Sequence, residues 1–206
     1  HGGGNTSGVK DYYDFSELIR EHQVMVVTIN YRLGPMGWFT HPAIQGLQNG
    51  IDKASNFGTL DIMEALKWVQ TNIQNFGGDP GNITIFGESA GGNNVLSLLA
   101  SPMGNGLFHK AISQSGYTTS FTKEEALGLN QKGTVVNQLG SDPALSSFDS
   151  SGYGRIKNLF NQDPQKYAEE YQHYLRSIDG KALLETYEKL SKDTYDRLPL
   201  LTRDGI

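Results

Sequence analysis

The chain has 206 residues, 37% of them hydrophobic and 19% charged, with 25 glycines, no cysteine and a formal net charge of −5. That is enough apolar material for a real core, and with no Lys/Arg cluster the acidic balance argues against nucleic acid or an anionic membrane surface as a partner. No apolar run approaches the roughly 18 residues of a transmembrane helix, and the lack of cysteine removes disulfides and thiolate metal sites from consideration.

His1 opens directly into Gly2-Gly3-Gly4, which reads as a processed chain or a piece of a longer one, with any signal peptide upstream. Residues 24–31, VMVVTINY, are an unbroken apolar, β-branched run that suits a buried parallel strand, Val24–Asn30. A loop rich in Gly, Pro and Asn follows from Arg32 to Thr59, and loops of that length are usually functional. Ile62, Leu66, Val69, Ile73 and Phe76 then recur every three to four residues and predict an amphipathic helix over about Asp61–Phe76, ended by Gly77-Gly78. Ile83–Phe86 reads as a second strand, about Ala90–Ala100 as a helix and Ala111–Ser113 as a third strand. Strand and helix in alternation imply a parallel sheet with covering helices. Beyond Gly116 the pattern loosens. Lys123–Leu139, Lys166–Arg176 and Lys181–Lys192 read as helices and Gly140–Gly154 as a loop. The expected organisation is one α/β domain, with a sheet core in 1–116 and a helical insertion in 117–206.

Two motifs carry chemistry. Gly87-Glu88-Ser89-Ala90-Gly91 fits G-x-S-x-G between a predicted strand and a predicted helix, the context a nucleophile elbow requires. The turn strains the serine backbone and pushes its hydroxyl clear of the sheet. The helix behind it aims N–H groups and a positive dipole end at developing negative charge. His1-Gly2-Gly3-Gly4 matches the HGGG-type motif that supplies the other half of an oxyanion hole. Each preplaced N–H donor there contributes about 3–4 kcal/mol to acyl transfer. Either motif alone is a Gly-rich turn; together, and in this order, they point to a serine hydrolase.

With these motifs, the stretches NYRLGPMGWF, NFGTLDIMEALKWVQTNIQNFGGDPGNITIFGESAGG and FHKAISQSG resemble the type-B carboxylesterases, which include bacterial para-nitrobenzyl esterases and the cholinesterases. The resemblance runs from His1 to Gly116. It separates the chain from the hormone-sensitive-lipase-like esterases, which usually carry Asp where this chain has Glu88. It implies the α/β-hydrolase fold, with Ser89 as nucleophile and the N–H groups of Gly3, Gly4 and Ala90 as the oxyanion hole. It implies a buried, structural Glu88, and a Ser115 that supports the site from behind. Arg32 and Asp61 are either an internal ion pair fixing the long loop to the helix or two solvated charges, and the two readings stand even.

The chain departs from the pattern at Asn5, where many members have an aromatic residue, so substrate preference stays open. The triad acid and histidine follow the serine in this fold. His22 and His41 precede it, His109 arrives before any acid, and His173 lies on a predicted surface helix. All four read as ordinary histidines, and the base and its acid are expected beyond Ile206. The expected activity is hydrolysis of a small-molecule carboxylic ester through an acyl-serine, with no cofactor and no metal. A catalytically inactive adhesion protein of the neuroligin kind, or a lipase or amidase of the same fold, are the alternatives. Exported bacterial members make a periplasmic or extracellular location the expectation; the oligomeric state is open.

Overall fold

A computed structural model describes residues 1–191 and 201–205. The chain divides into two compact units: His1–Gly37 with Asn56–Thr119, and Trp38–Ser55 with Ser120–Ile206. Part of the long loop thus belongs with the C-terminal region.

The first unit is built around two parallel strands. After helix α1 (Ser16–His22) comes α2 (Phe57–Asn72), which buries Ile62, Met63, Leu66 and Val69 and tightens into a 3₁₀ turn over Ile73–Phe76. Gly77 closes that turn with φ 88°, a left-handed value that costs glycine little. Strand β1 (Thr84–Glu88) leads through Ser89 into α3 (Ala90–Ala100), and β2 (Lys110–Gln114) returns parallel to β1, with Thr84 opposite Lys110 and Glu88 opposite Gln114. α3 packs on both strands, so Ile85 and Gly87 are covered. The opposite face is not: Phe86 is 40% and Ile112 53% exposed. Among the described residues β1 is therefore buried on one side and β2 on neither, where the apolar runs suggested strands buried on both. Phe76, the last member of the expected helical stripe, is exposed as well.

The Val24–Asn30 strand is a second correction. The segment is in no ladder, because β1 and β2 pair only with each other among the described residues. β-propensity shows which side chains suit a pleated surface; a strand also needs a neighbour to take its N–H and C=O groups.

The second unit is helical: α4 (Lys123–Leu127), α5 (Ser141–Phe148), α6 (Ser150–Gln162), α7 (Pro164–Ser177) and α8 (Gly180–Leu190). The expected Lys123–Leu139 helix stops after five residues, where Gly128 turns left-handed at φ 89°. The expected Gly140–Gly154 loop is α5 and the start of α6. Its polar residues serve as caps: Asp149 accepts from the N–H of Gly152, as Asp163 and Asp179 do at the next two helices. α7 and α8 match the other two expected helices, except that Lys192, the end of the last, lies outside the described residues. Leu145, Tyr153, Ile156 and Tyr171 form this unit's core. The helices of the described residues include none long and apolar enough to cross a membrane.

Candidate active site

β1 delivers Ser89 to the start of α3 in a conformation few residues adopt, with φ 55° and ψ −118°. Its N–H donates to Gln114 O at 2.8 Å, extending the β1–β2 ladder one residue past the strand. Its C=O accepts the first turn of α3 from Asn93 N–H at 3.0 Å. The residue is thus held at both ends by regular structure while the turn between them is strained. Close backbone approach makes the turn possible. A Cβ at Gly87 would stand 2.5 Å from the carbonyl carbon of Gly91, and one at Gly92 2.8 Å from Gly116 Cα. The Ser89 hydroxyl makes no hydrogen bond among the described residues.

The first residues of the chain lie against this turn. A Cβ at Gly2 would stand 2.7 Å from Glu88 O and 3.3 Å from Ser89 Cβ, and one at Gly91 2.8 Å from His1 O. Gly3, Gly4 and Asn5 then run through three successive left-handed residues, with φ 75°, 64° and 58°. Gly3 O closes this turn by accepting from the N–H groups of Thr6 and Ser7, each at 3.1 Å. The N–H groups of Gly3, Gly4 and Ala90 donate to nothing among the described residues. Three unspent backbone donors therefore sit on the two segments that meet at Ser89.

Side chains bind the segments together. The Tyr31 hydroxyl donates to His1 O at 2.6 Å, and the Tyr31 ring stacks on His1 with centroids 4.4 Å apart. Burial pushes the Tyr31 phenol well above its usual range, against a smaller opposing effect from Asn94, so it stays a donor. Asn5 and Asn94 exchange amide hydrogen bonds. Tyr31, Asn94 and Tyr13 escaped the sequence reading. Tyr31 stood in the quoted NYR stretch, and the adjacent Asn93 and Asn94 in a helix that buries both were the available signal.

Other expected residues fare differently. Glu88 is not buried: it is exposed, with Oε2 accepting from the Tyr13 hydroxyl at 3.1 Å. It sits on the uncovered side of β1, which explains the difference. Ser115 is exposed too and makes no side-chain hydrogen bond among the described residues; its φ of 51° and its neighbours shape this corner, with Ser113 Oγ donating to Gly92 O at 3.1 Å. Arg32 and Asp61 do pair, in a two-pronged contact of 2.8 Å and 2.7 Å plus a backbone bond at 2.9 Å. Their side chains are 53% and 25% exposed, so the pair is real but not buried. His109 sits at the far end of β1, accepting from Ile83 N–H at 3.1 Å. His41, in the second unit, is enclosed by Tyr153 and Tyr171, each 3.1 Å from its Nε2. Groups of acids and histidines able to hold a metal do not occur among the described residues.

The profile described as "Carboxylesterase family" matches residues 1–201. The para-nitrobenzyl esterase of Bacillus subtilis (strain 168) is 36% identical over 96% of this chain and 40% of its own length. Liver carboxylesterase B-1 of Rattus norvegicus is 48% identical over 98% of this chain and 37% of its own length. Among solved structures a PNB esterase superposes with a TM-score of 0.69 at 30% identity, over 98% of this chain and 38% of that one. The fold is that of the α/β hydrolases, and the chain spans about two fifths of the length of these relatives.

Proposed function

The chain belongs to the carboxylesterase family, and on that premise we propose that the complete protein hydrolyses small carboxylic esters through an acyl-serine intermediate. The observation that carries this reading is the strained Ser89, its hydroxyl unengaged, where two segments with unspent N–H donors meet. Ser89 Oγ attacks the ester carbonyl and forms the acyl-enzyme as the alcohol departs; water then releases the acid. In both steps the carbonyl oxygen becomes an anion. The N–H groups of Gly3, Gly4 and Ala90 are assigned to it, since donors fixed beforehand need no reorganisation as the charge forms. Gly3 and Gly4 take positive φ values that glycine adopts without strain.

A serine hydroxyl becomes a good nucleophile only when a histidine takes its proton, and that histidine needs an acid to hold its tautomer. None of the described histidines hydrogen-bonds Ser89 Oγ, so residues 1–206 by themselves are expected to be inactive. The test compares p-nitrophenyl acetate hydrolysis by the complete protein, its Ser89→Ala variant and the 206-residue chain. The complete protein alone should be active. Full activity in Ser89→Ala refutes the nucleophile assignment, and full activity in the short chain means that one of its own histidines is the base.

A further inference from the structure

Acyl transfer as proposed does not account for the amide pair buried beside the elbow. Asn5 Nδ2 donates to Asn94 Oδ1 at 3.0 Å, and Asn94 Nδ2 donates back to Asn5 Oδ1 at 2.9 Å, across 89 residues of sequence. Both side chains are almost wholly buried, and the Tyr31 hydroxyl stands 3.2 Å from Asn5 Oδ1. Two opposed hydrogen bonds between planar amides fix rotation as well as distance, which a single bond does not. Breaking either in a buried site leaves its partner unsatisfied, so the pair resists opening. Asparagine also suits position 5 because it tolerates the left-handed φ of 58°.

The placement gives the pair a job. Asn5 directly follows Gly4, while Asn94 lies on α3, the rigid element that starts at Ser89. We propose that Asn5 and Asn94 form a latch, braced by Tyr31, that sets where the Gly3 and Gly4 N–H groups lie relative to Ser89. They are positioning residues for acyl transfer, and the assignment rests on the reading of Ser89 as nucleophile. Of the ties that would remain without the latch, Tyr31 to His1 O and the packing of Gly2 and Gly91 act at the other end of the glycine run, and the Tyr13 hydroxyl reaches Glu88 only from further along the chain.

The test uses the complete protein with p-nitrophenyl acetate. Asn5→Gly removes the amide but keeps the left-handed backbone at no strain; Asn94→Ala removes its partner. Each should lower kcat about 10- to 100-fold, the range for reactive groups displaced by up to an ångström and for a weakened oxyanion donor. KM should stay within about threefold, because the oxyanion forms only in the transition state. The double variant should be no worse than the poorer single one, since opening either half opens the latch. Phosphonylation by a p-nitrophenyl phosphonate should slow in parallel. If the cavity variants lose their cooperative melt, Asn94→Asp decides: it keeps the volume and removes the Nδ2 donor, and kcat should again fall. Unchanged kcat in a folded variant, or losses that multiply in the double variant, would overturn the latch. Activity surviving Ser89→Ala would instead overturn the underlying reading, so the two failures are distinguishable.

Discussion

Gly87→Ala tests the elbow through one methyl group. Gly87 is paired in register with Ser113 on β2, and Gly91 faces it from the first turn of α3. A Cβ at position 87 would stand 2.5 Å from both the carbonyl carbon and the oxygen of Gly91, and 2.9 Å from its Cα. Comfortable carbon contacts lie at about 3.5–4.0 Å, so the shortfall is about 1 Å. Neither side can swing away, because both are backbone in regular structure. The start of α3 has to lift. Overpacking of this kind costs about 1–3 kcal/mol. Gly87 is not among the residues with positive φ, so the whole cost reports the close approach. Lifting α3 also moves Ala90 N–H away from the carbonyl that Ser89 is proposed to attack, and an error of about 1 Å can cost on the order of 100-fold in rate. Gly106→Ala is the control. It has φ 77° with nothing within 4 Å of a Cβ, so it should cost about 1–2 kcal/mol of strain and leave kcat/KM unchanged. Urea melts and p-nitrophenyl acetate kinetics on the complete protein measure both. A Gly87→Ala enzyme with stability within about 0.5 kcal/mol of the parent, the range of an ordinary surface change, and unaltered kcat would refute the reasoning.

Arg32→Gln should cost about 1 kcal/mol in a urea melt, as an exposed ion pair does, and not the 3–5 kcal/mol of a buried one. Burial raises the pKa of Asp61, but the hydrogen bonds from Arg32 outweigh it and hold the carboxyl below its ordinary value. That stability is present above the unfolded carboxyl pKa of about 3.9 and is lost as pH falls through the lower folded value, so the two melts should converge in acid and stay parallel from pH 5 upward. His41 gives the same sign for a different reason. Burial pushes its imidazole down to about 4, with Asp142 opposing and Lys157 reinforcing the shift. The unfolded chain takes up this proton near pH 6.5, so stability should fall by on the order of 3 kcal/mol as pH drops from about 6.5 to 4 and level off below. His41→Gln should flatten that slope, and an unchanged slope in denaturant midpoints across this window would count against it.

The elbow was legible because every part of it is local: an apolar run, G-x-S-x-G and a helical period are adjacent in sequence. α2 was legible for the same reason, through Ile62, Leu66 and Val69. What escaped depends on something the sequence does not place nearby. Val24–Asn30 has the composition of a strand, but pairing decides whether it becomes one. Ser, Asp and Gly between Gly140 and Gly154 suit loops and helix caps equally, and here Asp149 starts a helix. Glu88 sits beside Ser89, yet its burial depends on what covers β1. The Asn5–Asn94 pair leaves no local trace, because each asparagine alone reads as a turn residue or a weak helix former.

Four non-glycine residues of the described chain have positive φ: Asn5, Gln23, Ser89 and Ser115. Gln23 follows the last turn of α1, where a left-handed residue is an ordinary helix ending. The other three gather at one place. Asn5 is hydrogen-bonded to α3, Ser89 starts α3, and Ser115 follows Gln114, whose carbonyl accepts from Ser89 N–H. Such conformations cost about 1–3 kcal/mol each and persist only where the surroundings over-determine them. Here the surroundings are backbone approaching backbone: Gly87 on Gly91, Gly92 on Gly116, and Gly2 on the carbonyl of Glu88. A side chain at any of these contacts has no rotamer that avoids the clash, because the clash begins at Cβ. The same absence of side chains that lets the strained turn form also leaves the N–H groups of Gly3, Gly4 and Ala90 open to an approaching oxygen. Strain and access therefore have a common origin in the glycines, which is why a methyl group at Gly87 is expected to reach catalysis as well as stability.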